Sequence, residues 1–501
     1  MEFELHADGD DLAKLGAFKP LTAIREGRTR ASSVKYIWHD SPEHTLFDDD
    51  RVLVETRGTW RLERLRPGAV TWLPAQAAPV LAEAGSVQDL HATLPEPLAA
   101  LAAFEGRRTV SLHRFAEGLV TVTVERGVLR AVMAEQEVVR LLLAGDDLAV
   151  HAAAHAIAGA FPVRVPVASF AARGIALATN TPPLPRHLGP PELSDGDMTV
   201  AEALAHILGH LTDVILFFAP VAANSQSGDR PPRVEAVHQM RVAVRRALSA
   251  LSIFRRAFPD DALDPIRATL KTLAKALAHT RDWDVFVDET LPAVAEALPD
   301  DQRLSRLLAA ADRHRREYRQ TLAQYLSSPA FRLLGIDLAW FCASRGWQAA
   351  AAPPAEPQEA AADGAPVTVS PLPVRQFAPH VVRHRWKKML AAGKHIETLD
   401  VPALHALRLR AKRARYAAEM FSGLSESKTQ RRTIRRIAAL QQLLGVLNDG
   451  AVAAHLMEEL GGPAGRHGYA VGVVTGFIAA RSRLSRPEVN AAFEKLRRHG
   501  D

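Results

Sequence analysis

The chain carries one basic helix twice. Around His238 the sequence reads VHQMRVAVRRALSALSIF, and around His405 it reads LHALRLRAKRARYAAEMF. At an offset of 167 residues Arg241 matches Arg408, Arg245 matches Lys412, Arg246 matches Arg413 and Phe254 matches Phe421. The register continues downstream, where Leu273 matches Leu440, Leu277 matches Leu444 and Asp282 matches Asp449. A register held over so long a stretch marks a duplicated unit. Duplication constrains the fold more than any single motif, because whatever the first copy builds the second must build again.

Helical periodicity gives each copy a layout. At 3.6 residues per turn, His238, Arg241 and Arg245 fall on one stripe, and Val237, Met240, Val244, Leu248 and Leu251 form the apolar stripe beside it. In the second copy His405, Arg408, Lys412 and Arg415 repeat the cationic stripe, and Leu404, Leu407, Ala411, Ala414 and Phe421 repeat the apolar one. Each copy thus places cations at the border of a face that packs inward. Such a face is either a solvated helix surface or a receptor for an extended polyanion, and its repetition in register favours the receptor.

The charge is divided unevenly. Of the 501 residues, 1–194 hold 20 Lys+Arg against 24 Asp+Glu, a net of −4, and the remainder holds 42 against 32, a net of +10. The repeat half is therefore the candidate for binding acidic partners. A single cysteine, Cys342, excludes an intrachain disulfide and fits a reducing compartment. The acidic start MEFELHADGDD has no basic segment followed by an apolar core, and the apolar stretches VILFFAPVAA and YAVGVVTGFIAA read as too short to span a bilayer. The expectation is a cytoplasmic protein with no membrane partner.

Residues 1–178 read as β-rich. VKYIWHD, RVLVETR, TWRLERL, TVSLHRF and LVTVTVERGVLRAVMA combine β-branched residues with partial alternation, and a helix, LAVHAAAHAIAGAF, follows. Residues 179–196 read as a Pro-rich linker, after which Asp197 or Thr199 is placed to cap a helix. From there the pattern is helical, in a first repeat over 197–348 and a second over 375–501. Between them, 349–374 has the Ala/Pro/Glu bias of a disordered tether. The fold class expected is α+β multidomain, with about four helices in each repeat.

HQMRVAVRR and HALRLRAKRAR, followed by LAHTRDWDVF and LLGVLNDGAVA, resemble in order and spacing the CHAD family, the conserved-histidine α-helical domain. That resemblance covers roughly 197–500. It implies two four-helix bundles related by a pseudo-twofold axis, with basic residues lining a shared surface, and it implies binding of inorganic polyphosphate and association with polyphosphate granules. The residues implicated are His238, Arg241, Arg245, Arg246, His405, Arg408, Lys412 and Arg413. Arg415, Lys387 and Lys388 join them as further cations on the same or a preceding helix. Arg313, Arg315, Arg316 and Arg319, with Arg383, Arg385 and Lys394, carry less weight. Asp282 and Asp449 would orient arginines or cap a helix turn. Polyphosphate has no bases to stack, so it needs only many cationic donors. The scarcity of aromatic clusters disfavours nucleic acid, although the same surface leaves a nucleic-acid binder as an alternative. Metal ligation at His238 and His405 is not expected, because their neighbours are cationic.

The N-terminal half resembles the CYTH family, the triphosphate tunnel fold, in degenerate form. EFELH is similar to the family's ExExK motif, with Glu2 and Glu4 kept and His6 in place of lysine. KYIWHDSPEHTLFDDDRVLVETR, VTVERGVLRA and FAARGIAL follow in the family's order. A catalytic tunnel holds a divalent metal on carboxylates and grips triphosphate with interior Arg and Lys. Here VLVETR leaves only Arg57 at the basic strand, and the acidic strand reads VVRLLLA around Arg140. No catalytic residue, metal or cofactor is therefore assigned. The leading expectation is a non-enzymatic polyphosphate-binding protein with unknown protein partners, and an inorganic triphosphatase is the alternative.

Overall fold

The computed structural model describes residues 1–8, 12, 14–49, 51–64, 80–84, 98–180, 189–191, 193–224, 230–258, 261–345, 372–425 and 427–498. Most of the expected tether at 349–374 and part of the expected linker at 179–196 lie outside the described residues. The chain parts into two compact units. One holds Met1–Leu188, Leu208–Pro220 and Leu326–Ala355, and the other holds Gly189–Ile207, Val221–Tyr325 and Glu356–Asp501. The single boundary expected near 178 thus becomes an interleaved one, because stretches of the helical region lend apolar surface to the first unit. Thr212, for example, meets the buried Cys342 there.

The first unit is built on eight strands: β1 (Glu2–Asp8), β2 (Arg25–Asp40), β3 (Arg51–Thr56), β4 (Thr59–Arg64), β5 (Val80–Ala84), β6 (Ala99–Phe115), β7 (Gly118–Ala131) and β8 (Glu135–Gly145). They form one antiparallel sheet in the order β1-β8-β7-β6-β2-β3-β4-β5. Among the described residues β1 and β5 are its two ends and do not pair. β3 and β4 are joined by Arg57 and Gly58, both with positive φ, the twist a two-residue hairpin requires. Alternation sorts β1 cleanly: Phe3, Leu5 and Ala7 are fully buried on one face, and Glu2, Glu4 and His6 share the other.

Helix α1 (Asp147–Ala160) packs on β1, β7 and β8. Helix α2 (Phe170–Thr179), capped by Ser169, lays Phe170 and Ile175 against Trp38, Phe104 and Leu129. Gly174 lets α2 approach that closely, since a Cβ there would come within 2.8 Å of the Trp38 ring.

The rest of the described chain is helical: α3 (Val200–Ala223), α4 (Arg230–Phe254), α5 (Asp264–Val285), α6 (Leu291–Ala297), α7 (Gln302–Ser327), α8 (Pro329–Ser344), α9 (Val374–Ala392), α10 (Val401–Met420), α11 (Lys428–Glu459), α12 (Gly468–Leu484) and α13 (Arg486–Arg497). Thr199 caps α3 in a capping box: its Oγ1 accepts from the Glu202 N–H at 3.2 Å, and Glu202 Oε2 accepts from the Thr199 N–H at 3.0 Å. VILFFAPVAA is only the last part of α3, which begins at Val200 and runs unbroken through Pro220. By length and composition α3 and α11 could each cross a membrane, and 78% of the apolar window of α3 is buried within the protein.

Helix order is the same in both copies. α3, α4, α5–α6, α7 and α8 are followed by α9, α10, α11, α12 and α13, so among the described residues each copy has five helical segments where about four were expected. Between α5 and α6 lies a π-helical turn, Phe286–Thr290, whereas the second copy runs through the equivalent stretch as one helix of 32 residues. Pro292, at the start of α6, has no N–H to continue the α-helical ladder, and the wider turn absorbs the break. The equivalent residue in α11 is Glu459, which keeps its N–H.

The copies also share a core. Trp283, Phe286, Leu291, Val294 and Leu307 of the first pack with Leu456, Met457, Leu460, Val471 and Val474 of the second. Phe254 and Phe421, matched in the repeat, touch each other with ring centroids 6.1 Å apart. Equivalent residues meet in this way beside the axis that relates two copies.

Candidate functional site

α4 and α10 pack against each other, and their apolar stripes behave as the periodicity requires. Val237, Met240, Val244 and Leu251 are buried on α4, and Leu404, Leu407, Ala411 and Ala414 on α10, with Phe421 buried at its C-terminal cap. Leu248 is half-buried. The cations at the border of these stripes are therefore held near the surface yet partly desolvated. His238, Arg241, Arg245, Arg246, Arg408, Lys412 and Arg415 are half-buried, and His405 and Arg413 are exposed.

The electrostatics show where the two stripes meet. Burial pushes the Lys412 ammonium down, and the charges of Arg408, Arg245, Arg241 and Arg415 push it further, to about 7. Two of those arginines come from α4 and two from α10, so the copies converge on one cationic cluster. Burial also lowers His238, and Arg281, Arg245 and Arg241 add to that, which keeps its imidazole neutral beside them.

Carboxylates are spread unevenly over these residues. Asp282 holds Arg241, Oδ1 to Nη2 at 3.3 Å, the orienting role read from the sequence. Glu419 takes two arginines, Arg415 at 3.0 Å and Arg246 at 3.8 Å. Arg246 and Arg415 thus share a carboxylate that joins α4 to α10, which fits them less well for contacting a ligand than the sequence suggests. Arg245 and Lys412 make no ion pair among the described residues, and the buried Nε of Arg245 has no hydrogen-bond partner. The side chain of Asp449 lies outside the described residues.

Lys387 and Lys388 are exposed on α9, where Lys388 lines a cleft with Ser252, Arg255 and His384. On the same helix Arg385 donates to the Ser252 carbonyl at 3.0 Å and fastens α9 to α4. The second basic run divides: Arg313 and Arg316 are exposed, whereas Arg315 and Arg319 are buried. Arg315 is 3% exposed and paired with Asp288 at 2.7 Å, and Arg319 donates to the buried Asp284 at 2.8 Å. These arginines brace α7 against the end of α5, because a charge this deep needs a partner. Sequence reasoning missed Arg281 and Glu419. Arg281 matches Asn448 in the repeat, so duplication carried no signal for it, whereas Glu419 lies four residues after Arg415 at ion-pair spacing.

In the first unit a second charged cluster lines the sheet face beneath α2. Arg140 on β8 grips Glu4 with two bonds, Nε to Oε1 at 2.8 Å and Nη2 to Oε2 at 3.0 Å, and His6 Nε2 meets Glu4 at 2.6 Å. Glu125, fully buried on β7, accepts from Arg108 at 2.8 Å and from Tyr36 at 2.8 Å. Burial alone would raise Glu4, but the Arg140 charge overrides it and holds the carboxyl at about 2. Burial and the Glu125 charge push the Tyr36 phenol up to about 12. Each carboxylate here is bound by guanidinium groups, and the cluster closes on itself.

A family model described as CHAD domain matches residues 199–458. Among solved structures, the CHAD domain from the plant Ricinus communis is similar at 27% identity with a TM-score of 0.50, over 62% of this chain and 96% of that one. PptA from Streptomyces chartreusis is 18% identical with a TM-score of 0.40, over 60% of this chain and 100% of that one. No curated protein matches.

Proposed function

Since this chain belongs to the CHAD family, a family associated with polyphosphate binding, we propose that it binds inorganic polyphosphate on the cluster formed jointly by α4 and α10. The observation that carries this reading is the meeting of half-buried Arg241 and Arg245 on α4 with half-buried Arg408 and Lys412 on the α10 helix packed against it, a crowding that lowers Lys412 to about 7. Five cationic groups crowded at a half-desolvated border repel one another, and an anion with a charge on every unit relieves that repulsion along its length. Arg241, Arg245, Arg408 and Lys412 are the principal contacts, with His238 as a neutral hydrogen-bond donor. Arg281 extends the cluster, and His405, Arg413, Lys387 and Lys388 are exposed cations that a longer chain would reach. Recruitment to polyphosphate granules in the cytoplasm follows from the same chemistry.

The N-terminal sheet is proposed as a degenerate CYTH-like module without triphosphatase activity. The Glu4 carboxylate, which would have to hold a divalent metal, is instead occupied by Arg140 and His6. The test is a titration of the full chain with long-chain polyphosphate, in competition with single-stranded DNA at equal charge. Displacement of DNA by polyphosphate supports the proposal. Preference for DNA transfers the surface to nucleic acid.

A further inference from the structure

Apart from the cationic cluster, one group of side chains among the described residues has the makings of a ligand site. α1 carries His151 and His155 four residues apart, on one face of the helix. Both Nε2 atoms converge on one oxygen, Asp337 Oδ1 on α8, at 3.0 Å and 2.6 Å. Asp337 is 182 residues from His155 in sequence and belongs to the same compact unit. All three ligand atoms lie within 4.8 Å of one another, and all three side chains are half-buried.

We propose that His151, His155 and Asp337 form a binding site for a divalent transition-metal ion of the Zn²⁺ class. Three observations carry it. First, the donor set of two imidazoles and one carboxylate suits zinc and its neighbours and does not suit magnesium or calcium, which take oxygen ligands. Second, bonds of about 2.0–2.2 Å in tetrahedral geometry separate ligand atoms by roughly 3.3 Å. The observed nitrogen-to-oxygen distances of 3.0 and 2.6 Å need only a small spread to admit the ion. Third, the site is supported from outside. The Trp340 ring packs on His151 with centroids 4.4 Å apart, and its Nε1 donates to the Asp147 carbonyl at 3.4 Å. The packed indole restricts rotation of the His151 ring, whose Nε2 stays on Asp337 Oδ1.

An ion at this place replaces the hydrogens that the two imidazoles now direct at one oxygen. Its fourth position opens to water on the half-exposed side. The ion would clamp α1 to α8 and so tie segments distant in sequence into the first unit. None of these residues belongs to the cationic cluster, so the proposal stands apart from polyphosphate binding.

The test uses the full chain prepared without a polyhistidine tag. Zn²⁺ is titrated in competition with a chromophoric chelator, and Co²⁺ uptake is followed by its visible absorption. The wild-type chain should withdraw one equivalent of Zn²⁺ and give a Co²⁺ spectrum of low coordination number, unaffected by millimolar Mg²⁺. His151→Ala, His155→Ala and Asp337→Asn should each weaken uptake by at least the roughly 10–100-fold that even outer-shell changes cost. Asp337→Asn keeps a hydrogen-bond acceptor between the helices, and circular dichroism confirms the fold of each variant. Wild-type protein that takes up no Zn²⁺, or folded variants that take it up as well as wild type, would overturn the proposal.

Discussion

If Lys412 sits at the centre of a polyanion site, binding must change its protonation. In the free protein its pKa lies near 7, lowered by burial and by Arg408, Arg245, Arg241 and Arg415. A bound phosphate chain supplies the missing negative charge and returns the ammonium toward its ordinary value of about 10.4. The sign follows directly: the bound state holds the proton more tightly, so binding takes protons up. At pH 6 Lys412 is already charged and uptake is close to zero. At pH 7 about half a proton is taken up, and at pH 8.5 about one. Over pH 8 to 9.5 the affinity should fall about tenfold per pH unit.

Isothermal titration calorimetry in buffers of different ionisation enthalpy reads this number as the slope of apparent enthalpy against buffer enthalpy. Lys412→Arg keeps the charge but does not titrate in this range, so it should bind polyphosphate with no uptake at pH 8.5. A slope of zero for wild type at pH 8.5 would refute the reasoning. So would an uptake that survives unchanged in Lys412→Arg.

Other outcomes are equally specific. With four principal contacts, the plot of log affinity against log salt should have a slope of about −3, by extension from single-stranded nucleic acids. Titrations at several salt concentrations would expose a flat line. Glu419→Gln leaves Arg246 and Arg415 half-buried beside a neutral amide and should cost roughly 1–3 kcal/mol in chemical denaturation. In the first unit, Glu4 has a folded pKa of about 2 against an ordinary 4.5, so its contribution to stability is complete above 4.5 and is lost as pH falls toward 2. Glu4→Gln should flatten the stability profile in that window. The full chain with Mg²⁺ or Mn²⁺ should release no phosphate from triphosphate, and release that Glu4→Gln abolishes would restore the triphosphatase reading.

Much of the architecture is legible in the repeat. The apolar stripes of α4 and α10 are buried where helical periodicity puts them, and Arg241 meets Asp282 as the shared HxxR and downstream Asp suggested. What the repeat could not convey is which cations are spent on internal partners. Arg246 and Arg415 go to Glu419, and Arg315 and Arg319 go to aspartates near the π turn, because pairing depends on three-dimensional approach and not on spacing alone. Arg281 was invisible because only one copy carries it. The interleaving of Leu208–Pro220 and Leu326–Ala355 into the first unit was equally hidden, since a helix that packs on a neighbouring unit reads the same as one that packs at home. His151 and His155 stood in plain view on an apolar helix, but Asp337, their third partner, lies too far along the chain for spacing to connect it.

The central claim is that α4 and α10 make one site and not two, and calorimetric titration of Arg245→Ala and Lys412→Ala tests it most directly. Arg245 belongs to the first copy and Lys412 to the second, and neither has an ion-pair partner among the described residues to lose. Each charge-assisted bond to phosphate is worth roughly 1.5–3 kcal/mol, so each variant should bind both long-chain polyphosphate and short tripolyphosphate at least about tenfold more weakly. A folded variant of either residue that binds both ligands with wild-type affinity would contradict the claim.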